Sequence, residues 1–315
     1  MRRLVRRLRE RDGQALLLTV VFLGVLIGAS ALTLDVGVWY REQRQAQATA
    51  DAAALAGAQA LPGDTSSAAS LVQQYASANG GGVAAANVTF RSDWTADDTV
   101  VVEAQRTAPT FFAKLFSIAS VDVDASAAAR AGVPEQVWGA APIVVNKLHP
   151  MLSGPGCPCF HAETTLPLGK DGAPGAFGLV DLDGGSNGTP DLADWIANGY
   201  DGYLDLGDYE SDPGAKFNSS EMDDALQARL GHELLFPVYD TLAGNGANAQ
   251  YHVIGWVAFH LDCVGTVDSD GDCVPDHGNS ANLTGYFTRV IWQGLQSTTN
   301  KHLPDFGVYS VSLVN

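Results

Sequence analysis

The sequence predicts an α+β fold: a single N-terminal transmembrane helix, a small α+β module continuous with it, then a mainly β domain with short helices. Three observations predict it. Residues 15–34 (ALLLTVVFLGVLIGASALTL) carry no charge. An alanine-rich run of helical spacing follows. From residue 133 onward, short β-branched and aromatic runs alternate with Gly, Asp and Pro, the pattern of strands joined by turns.

Composition sets the outer bounds. A chain of 315 residues corresponds to about two domains. With 46% hydrophobic and 17% charged residues it can bury a core, which excludes wholesale disorder. The 18 basic residues face 35 acidic ones, a net charge of −17. That excludes a general nucleic-acid binder, which needs basic surface to replace phosphate counterions.

The charge is uneven. Residues 1–14 form a basic tip with six arginines, Arg2, Arg3, Arg6, Arg7, Arg9 and Arg11, against Glu10 and Asp12. The apolar run of residues 15–34 spans about 30 Å as a helix, the thickness of a hydrocarbon core. Asp35 ends it, and no basic residue follows before Arg41. This asymmetry puts the N-terminus in the cytoplasm and the body outside the inner membrane, where disulfides persist. Two rival readings are a signal peptide cut at Ala29-Ser30-Ala31 and a prepilin-type leader at Gly13, which has Leu18 in place of the expected glutamate. The apolar run continues past Ala31 and runs on into helix, which favours a retained anchor. Gly24 and Gly28 make a GxxxG pair that fits close approach of another transmembrane helix.

Residues 41–61 (REQRQAQATADAAALAGAQAL) contain no helix breaker before Pro62. Ala46, Ala50, Ala54 and Ala58 recur every four residues and share a smooth face, widened by Ala53 and Gly57. Such a face suits close packing against its own domain or against a neighbouring subunit.

Gly13-Gln14, the apolar span, Leu34-Asp35-Val36-Gly37, Tyr40, a Gln43 and Gln45 turn, and the run of residues 50–58 (ADAAALAGA) resemble the N-terminal domain of tight-adherence (Tad) pilus-assembly proteins, the TadE/TadG-like group. The resemblance covers about residues 13–61. It implies a membrane-anchored, pilin-like component of a Flp-type pilus or related secretion machine, with its exported body used in assembly or adhesion. It also implies other pilus-assembly or pilin-like membrane proteins as partners, and no catalytic residues. Self-association through the transmembrane and stalk helices fits the same picture.

The rest of this module, to residue 132, reads as a second helix at 66–78 and strands at 87–91, 99–104 and 120–131. Residues 109–116 (PTFFAKLF) read as a short amphipathic helix opened by proline. The β-rich domain, residues 133–315, shows strand patterns at 142–147, 175–181, 252–261, 285–291 and 307–313, and helices at 190–198 and 221–230. Much of residues 140–262 also resembles the C-terminal region of some TadG-like proteins.

Candidate chemistry is sparse. Asp268, Asp270, Asp272 and Asp276 occupy positions 1, 3, 5 and 9 of one loop, a spacing that lets carboxylates converge on Ca²⁺. The string resembles the calcium loops of thrombospondin type 3 and dockerin-like repeats, with Cys273 where those carry glycine. An acidic solvated loop is the alternative. Cys263 and Cys273 bracket this loop as a candidate disulfide. Cys157 and Cys159 form a C-x-C pair, read as a disulfide or, with His161, as a metal site. Residues 181–187 read as a turn. Gly184–Gly188 matches G-x-S-x-G around Ser186 but lacks the strand and helix that a nucleophile elbow needs. His232-Glu233 begins an H-E-x-x-H that fails at Phe236. The leading expectation is a structural membrane protein rather than an enzyme. A calcium-stiffened surface module is the alternative, and a serine hydrolase comes third.

Overall fold

The computed structural model describes residues 2–169, 178–185, 187–212, 219–244, 249–275, 280–296 and 303–314. It divides into two compact units, residues 1–130 with 313–315, and residues 131–312.

The first unit is built on one helix, α1 (Arg2–Ala58). Glycine interrupts its sequence but proline does not, so the backbone ladder runs unbroken from the apolar span into the alanine stalk. The second helix, α2 (Thr65–Ala78), starts at Asp64, whose carboxylate accepts from the amides of Ser66 and Ser67. Strands β1 (Val88–Arg91), β2 (Thr99–Pro109) and β3 (Ser120–Gly132) form an antiparallel meander. Alternation sorts β2: Val100, Val102, Ala104 and Ala108 are buried while Glu103 and Gln105 are exposed. Helix α1 packs on both α2 and β2.

That packing settles the alanine face. Ala46, Ala50, Ala53, Ala54 and Ala58 are buried inside the unit itself, as are Ala68, Val72 and Ala76 of α2. A Cβ on Gly57 would sit 2.5 Å from Val72 Cγ2. Ala46, Ala50 and Ala54, for which packing against their own domain and packing against a neighbouring subunit were both open, are interior to the unit. Small side chains let the helix lie close to the sheet, and that closeness leaves no room for a second chain.

Two local readings need correction. Gln43 and Gln45 lie within α1 and not on a turn. Pro109 ends β2, and only Ala113–Phe116 forms a short 3₁₀ turn, with no amphipathic helix. Phe111, Phe112, Leu115 and Phe116 are all exposed.

The second unit contains β4 (Pro134–Trp138), β5 (Ile143–Asn146), α3 (Pro150–Ser153), β6 (Glu163–Gly169), β7 (Gly178–Val180), α4 (Thr189–Asn198), β8 (Tyr203–Leu204), β9 (Gly207–Asp212), α5 (Ser220–Gln227), β10 (Glu233–Ala243) and β11 (Gln250–Val264). It continues with β12 (Thr266–Val267), β13 (Cys273–Val274), β14 (Ser280–Thr288), β15 (Val290–Ile291), β16 (Gly294–Gln296) and most of β17 (Val308–Val314), whose last two residues belong to the first unit. Its main sheet runs β10-β5-β7-β9-β11-β14-β6, and β10 also pairs with β11. The pairings β10-β5-β7-β9-β11 therefore close on themselves as a ring, which leaves no free edge among those strands. The long strand β11 makes this possible, because residues 250–260 pair with β10 while residues 250–253 also pair with β9 and residues 258–264 with β14. Phe236, Trp256, Phe259 and Phe287 fill the core. Helices α4 and α5 pack together. The mainly β character with short helices agrees with the pattern in the sequence.

Overpacking tests the interior placement of the stalk. Ala54→Leu is expected to destabilise the first unit by about 1–3 kcal/mol, read as faster amide exchange in α2. Ala48→Leu, on the exposed side of the same helix, is expected to change stability by less than about 0.5 kcal/mol.

Candidate functional site: the junction of anchor and module

Between Leu16 and Leu34 the large apolar side chains of α1 are 47% to 69% exposed. Water does not tolerate a continuous apolar cylinder of this kind, whereas a bilayer does. The helix is long and apolar enough to cross a membrane, with a mean hydropathy of 2.5 over its best window. Gly24 and Gly28 have nothing within 4 Å of where a Cβ would stand. Their notch is open.

Asp35, one residue past the apolar run, is only 2% exposed. Its carboxylate accepts from three consecutive backbone amides of the β2–β3 loop: Phe111 (2.7 Å to Oδ1), Phe112 (3.0 Å to Oδ2) and Ala113 (2.7 Å to Oδ2). Desolvation opposes ionisation here, but the three donors outweigh it, and the carboxyl is held below its ordinary range. Sequence reasoning marked Asp35 as the end of the span and missed these partners, which lie 76 to 78 residues away. The available signal was a lone carboxylate set directly after an uncharged run.

The polar stalk residues continue the attachment. Gln43 Nε2 donates to the Asp124 carbonyl at 2.6 Å, and Gln47 Nε2 to the Ser126 carbonyl at 3.2 Å. Thr49 Oγ1 and Gln45 Nε2 both donate to the Asn79 carbonyl. Glu42 meets Arg106 at 3.0 Å, and Arg106 also donates to the Gly80 carbonyl. The hydrogen bond from Arg106 lowers the Glu42 pKa against partial desolvation. One face of the stalk is thus buried alanine, and its flanks are pinned to the sheet and to the end of α2.

Residues 13–60 match the profile of the Tad family, described as putative Flp pilus-assembly TadE/G-like. The chain matches none of the curated proteins and none of the solved structures. The TadE/G-like segment coincides with the apolar span and stalk of α1, and its two conspicuous carboxylates, Asp35 and Glu42, both serve attachment of the module.

The remaining candidates lie outside the TadE/G-like segment. Hairpin β12–β13 carries the acidic loop. Asp268 Oδ1 accepts from the amides of Asp270 (3.0 Å) and Asp272 (2.9 Å), so that carboxylate holds its own turn. Asp270 and Asp272 are exposed, and Asp276 lies outside the described residues. Among the described residues, no three His, Cys, Asp or Glu side chains gather as a metal site. Cys263 is joined to Cys273, and Cys157 to Cys159. The pairing within C-x-C excludes a thiolate metal site there. Ser186 lies outside the described residues. Asp181 Oδ1 accepts from the amides of Asp183 and Gly184 and from Asn187 Nδ2, which makes that segment a turn. Glu233 pairs with His260 across β10–β11.

Sequence reasoning also missed a cleft of about 320 Å³ in the second unit, lined by Trp138, Trp195, Arg229, Leu235 and Trp292 among others. Its walls come from distant segments, so no local motif announces it. The Arg229 guanidinium donates to the Ala197 and Glu233 carbonyls, and Trp292 Nε1 donates to the Trp138 carbonyl. Those hydrogen bonds shape the wall.

Removing the Asp35 carboxylate strands three amides. Asp35→Ala is expected to speed amide exchange at Phe111, Phe112 and Ala113 by at least about tenfold, with β2 and β3 still protected. In the wild type this protection is complete above the unfolded carboxylate pKa, about 3.9. It falls away as pH drops through the lowered folded value, and the variant shows no such pH step.

Proposed function

We propose that this protein is a membrane-anchored structural component of a Flp-type pilus or related secretion system, with its N-terminus in the cytoplasm and its body outside the inner membrane. One observation carries the reading: the TadE/G-like match over residues 13–60 coincides with the bare apolar span and the stalk of one helix. In this reading the anchor retains the body at the membrane surface, and the partners are other pilus-assembly or pilin-like membrane proteins. With the alanine face buried at home, the span is the continuous apolar surface left on α1 for a partner helix, and Gly24 and Gly28 lie open on it. Mechanism here is packing, and no bond-making chemistry is assigned to the chain. The exported body serves assembly or adhesion through its surface.

The expected outcome of Gly24→Leu with Gly28→Leu is a loss of crosslinking between this span and its partner helices, with the protein still inserted and the stalk still protected from exchange. Deletion of the chain is expected to abolish piliation. Normal pili without it would overturn the assignment.

Calcium at Asp268, Asp270, Asp272 and Asp276 is a separate proposal, supported by their spacing and by the Cys263–Cys273 closure of the loop. It requires the carboxylates other than Asp268 to supply most of the ligands. Calcium in excess over its Kd is expected to raise the unfolding midpoint of the whole protein relative to chelator, and Asp270→Ala to remove the rise. An unchanged midpoint would reduce the loop to acidic surface.

A further inference from the structure

We infer that the β2–β3 loop, residues 110–119, is a lipid-contacting tip that sits in the interfacial layer of the membrane crossed by residues 15–34. The inference rests on the reading of that run as a membrane span, and adds a second point of contact that the family match does not reach.

Gln43 binds the carbonyl of Asp124, and Gln47 that of Ser126. Four helical residues rise about 6 Å and two strand residues about 6.6 Å, so α1 and β3 advance side by side. Going back from Gln43 to Asp35 descends about 12 Å, and from Asp124 to Ser120 about 13 Å. The loop end of the hairpin therefore reaches the level of Asp35, where the apolar run stops. The hydrogen bonds from Phe111, Phe112 and Ala113 to Asp35 confirm that level independently. Ala31, one turn earlier on the same helix face, is also buried.

Phe111, Phe112, Leu115, Phe116 and Ile118 are 65%, 44%, 87%, 77% and 47% exposed. Five large apolar side chains within eight residues form a patch that water disfavours. Lys114 is the one charged residue of the loop, and a lysine stem can lie along an apolar surface while its ammonium reaches headgroups. The opposite end of the hairpin, residues 92–98 (SDWTADD), carries three acids. The module is therefore apolar at the end level with the membrane and charged at the other, where Arg91 pairs with Asp93 and Arg130 lies over Trp94.

A low-dielectric setting demands that backbone polar groups find partners. Besides the three amides held by Asp35, Leu115 N donates to the Phe112 carbonyl, Ser117 N to that of Lys114, Ile118 N to that of Ala113, and Thr110 N to that of Ala119. Thr110 Oγ1 donates to the Ile118 carbonyl. The loop thus turns its polar groups inward and its side chains outward. A protein partner for the same patch is the competing occupant. Lipid is favoured because the patch is continuous with the span and level with its end.

The test uses the full chain alone in vesicles of phosphatidylethanolamine and phosphatidylglycerol. Single cysteines carrying a nitroxide are placed at Ile27, Asp97, Leu115 or Phe116, since the four native cysteines are all paired. At Leu115 and Phe116, collisions with a water-soluble nickel chelate are expected to be at least about tenfold fewer than at Asp97, with oxygen collisions raised, as for an interfacial segment. Adding Asp35→Ala is expected to raise the mobility of both tip labels. If the tip is as open to chelate as Asp97 while Ile27 is shielded, the anchor stands and the lipid tip is overturned, leaving the patch for a protein partner. If Ile27 is open as well, the span reading fails and the tip fails with it.

Discussion

The first unit depends on the capture of three loop amides by the Asp35 carboxylate. One helix carries two kinds of surface: a bare apolar one over residues 15–34 and a packed one from residue 41 onward. The changeover occurs at a single side chain. A carboxylate at the end of an apolar run is costly unless it is bonded, and Asp35 is bonded by Phe111, Phe112 and Ala113. Those amides, just past the end of β2, would in turn lack partners without it. Each satisfies the other, and the result fixes which end of the β2–β3 hairpin lies beside the span.

Above that point the stalk is committed to its own module. Alanine at every fourth position lets α1 lie close on β2 and α2, with Gln43, Gln47, Thr49 and Glu42 bonding along the flanks. A helix used in this way is not free to pair with another chain through the same face. The division of labour within α1 is therefore by length: the apolar span stays bare while the stalk carries the module. This agrees with the family match, which ends at residue 60, two residues beyond the last residue of the helix.

The second unit follows different physics. Its ring of strands needs one long strand, β11, to pair with β10 along residues 250–260 and also with β9 and then β14, and its core holds large aromatic and aliphatic side chains where that of the first unit is rich in alanine. The two disulfides close short segments, one around the acidic hairpin and one within C-x-C. The tryptophan-lined cleft is built from residues far apart in the chain.

The bare apolar span, the unbroken stalk, the family resemblance and the α+β class were all legible in the sequence. All of these rest on local properties: an uncharged run, helix propensity without proline, and strand alternation. Only tertiary structure decided what those elements meet. The alanine face read equally well as an inner or an outer surface, because small residues suit any close contact, and α2 and β2 claimed it. Residues 109–116 read as an amphipathic helix because the apolar spacing fits one. Pro109 instead closes a strand, and Asp35 takes the amides that follow. The partners of Asp35 lie 76 to 78 residues away, a separation across which propensity and periodicity carry no information.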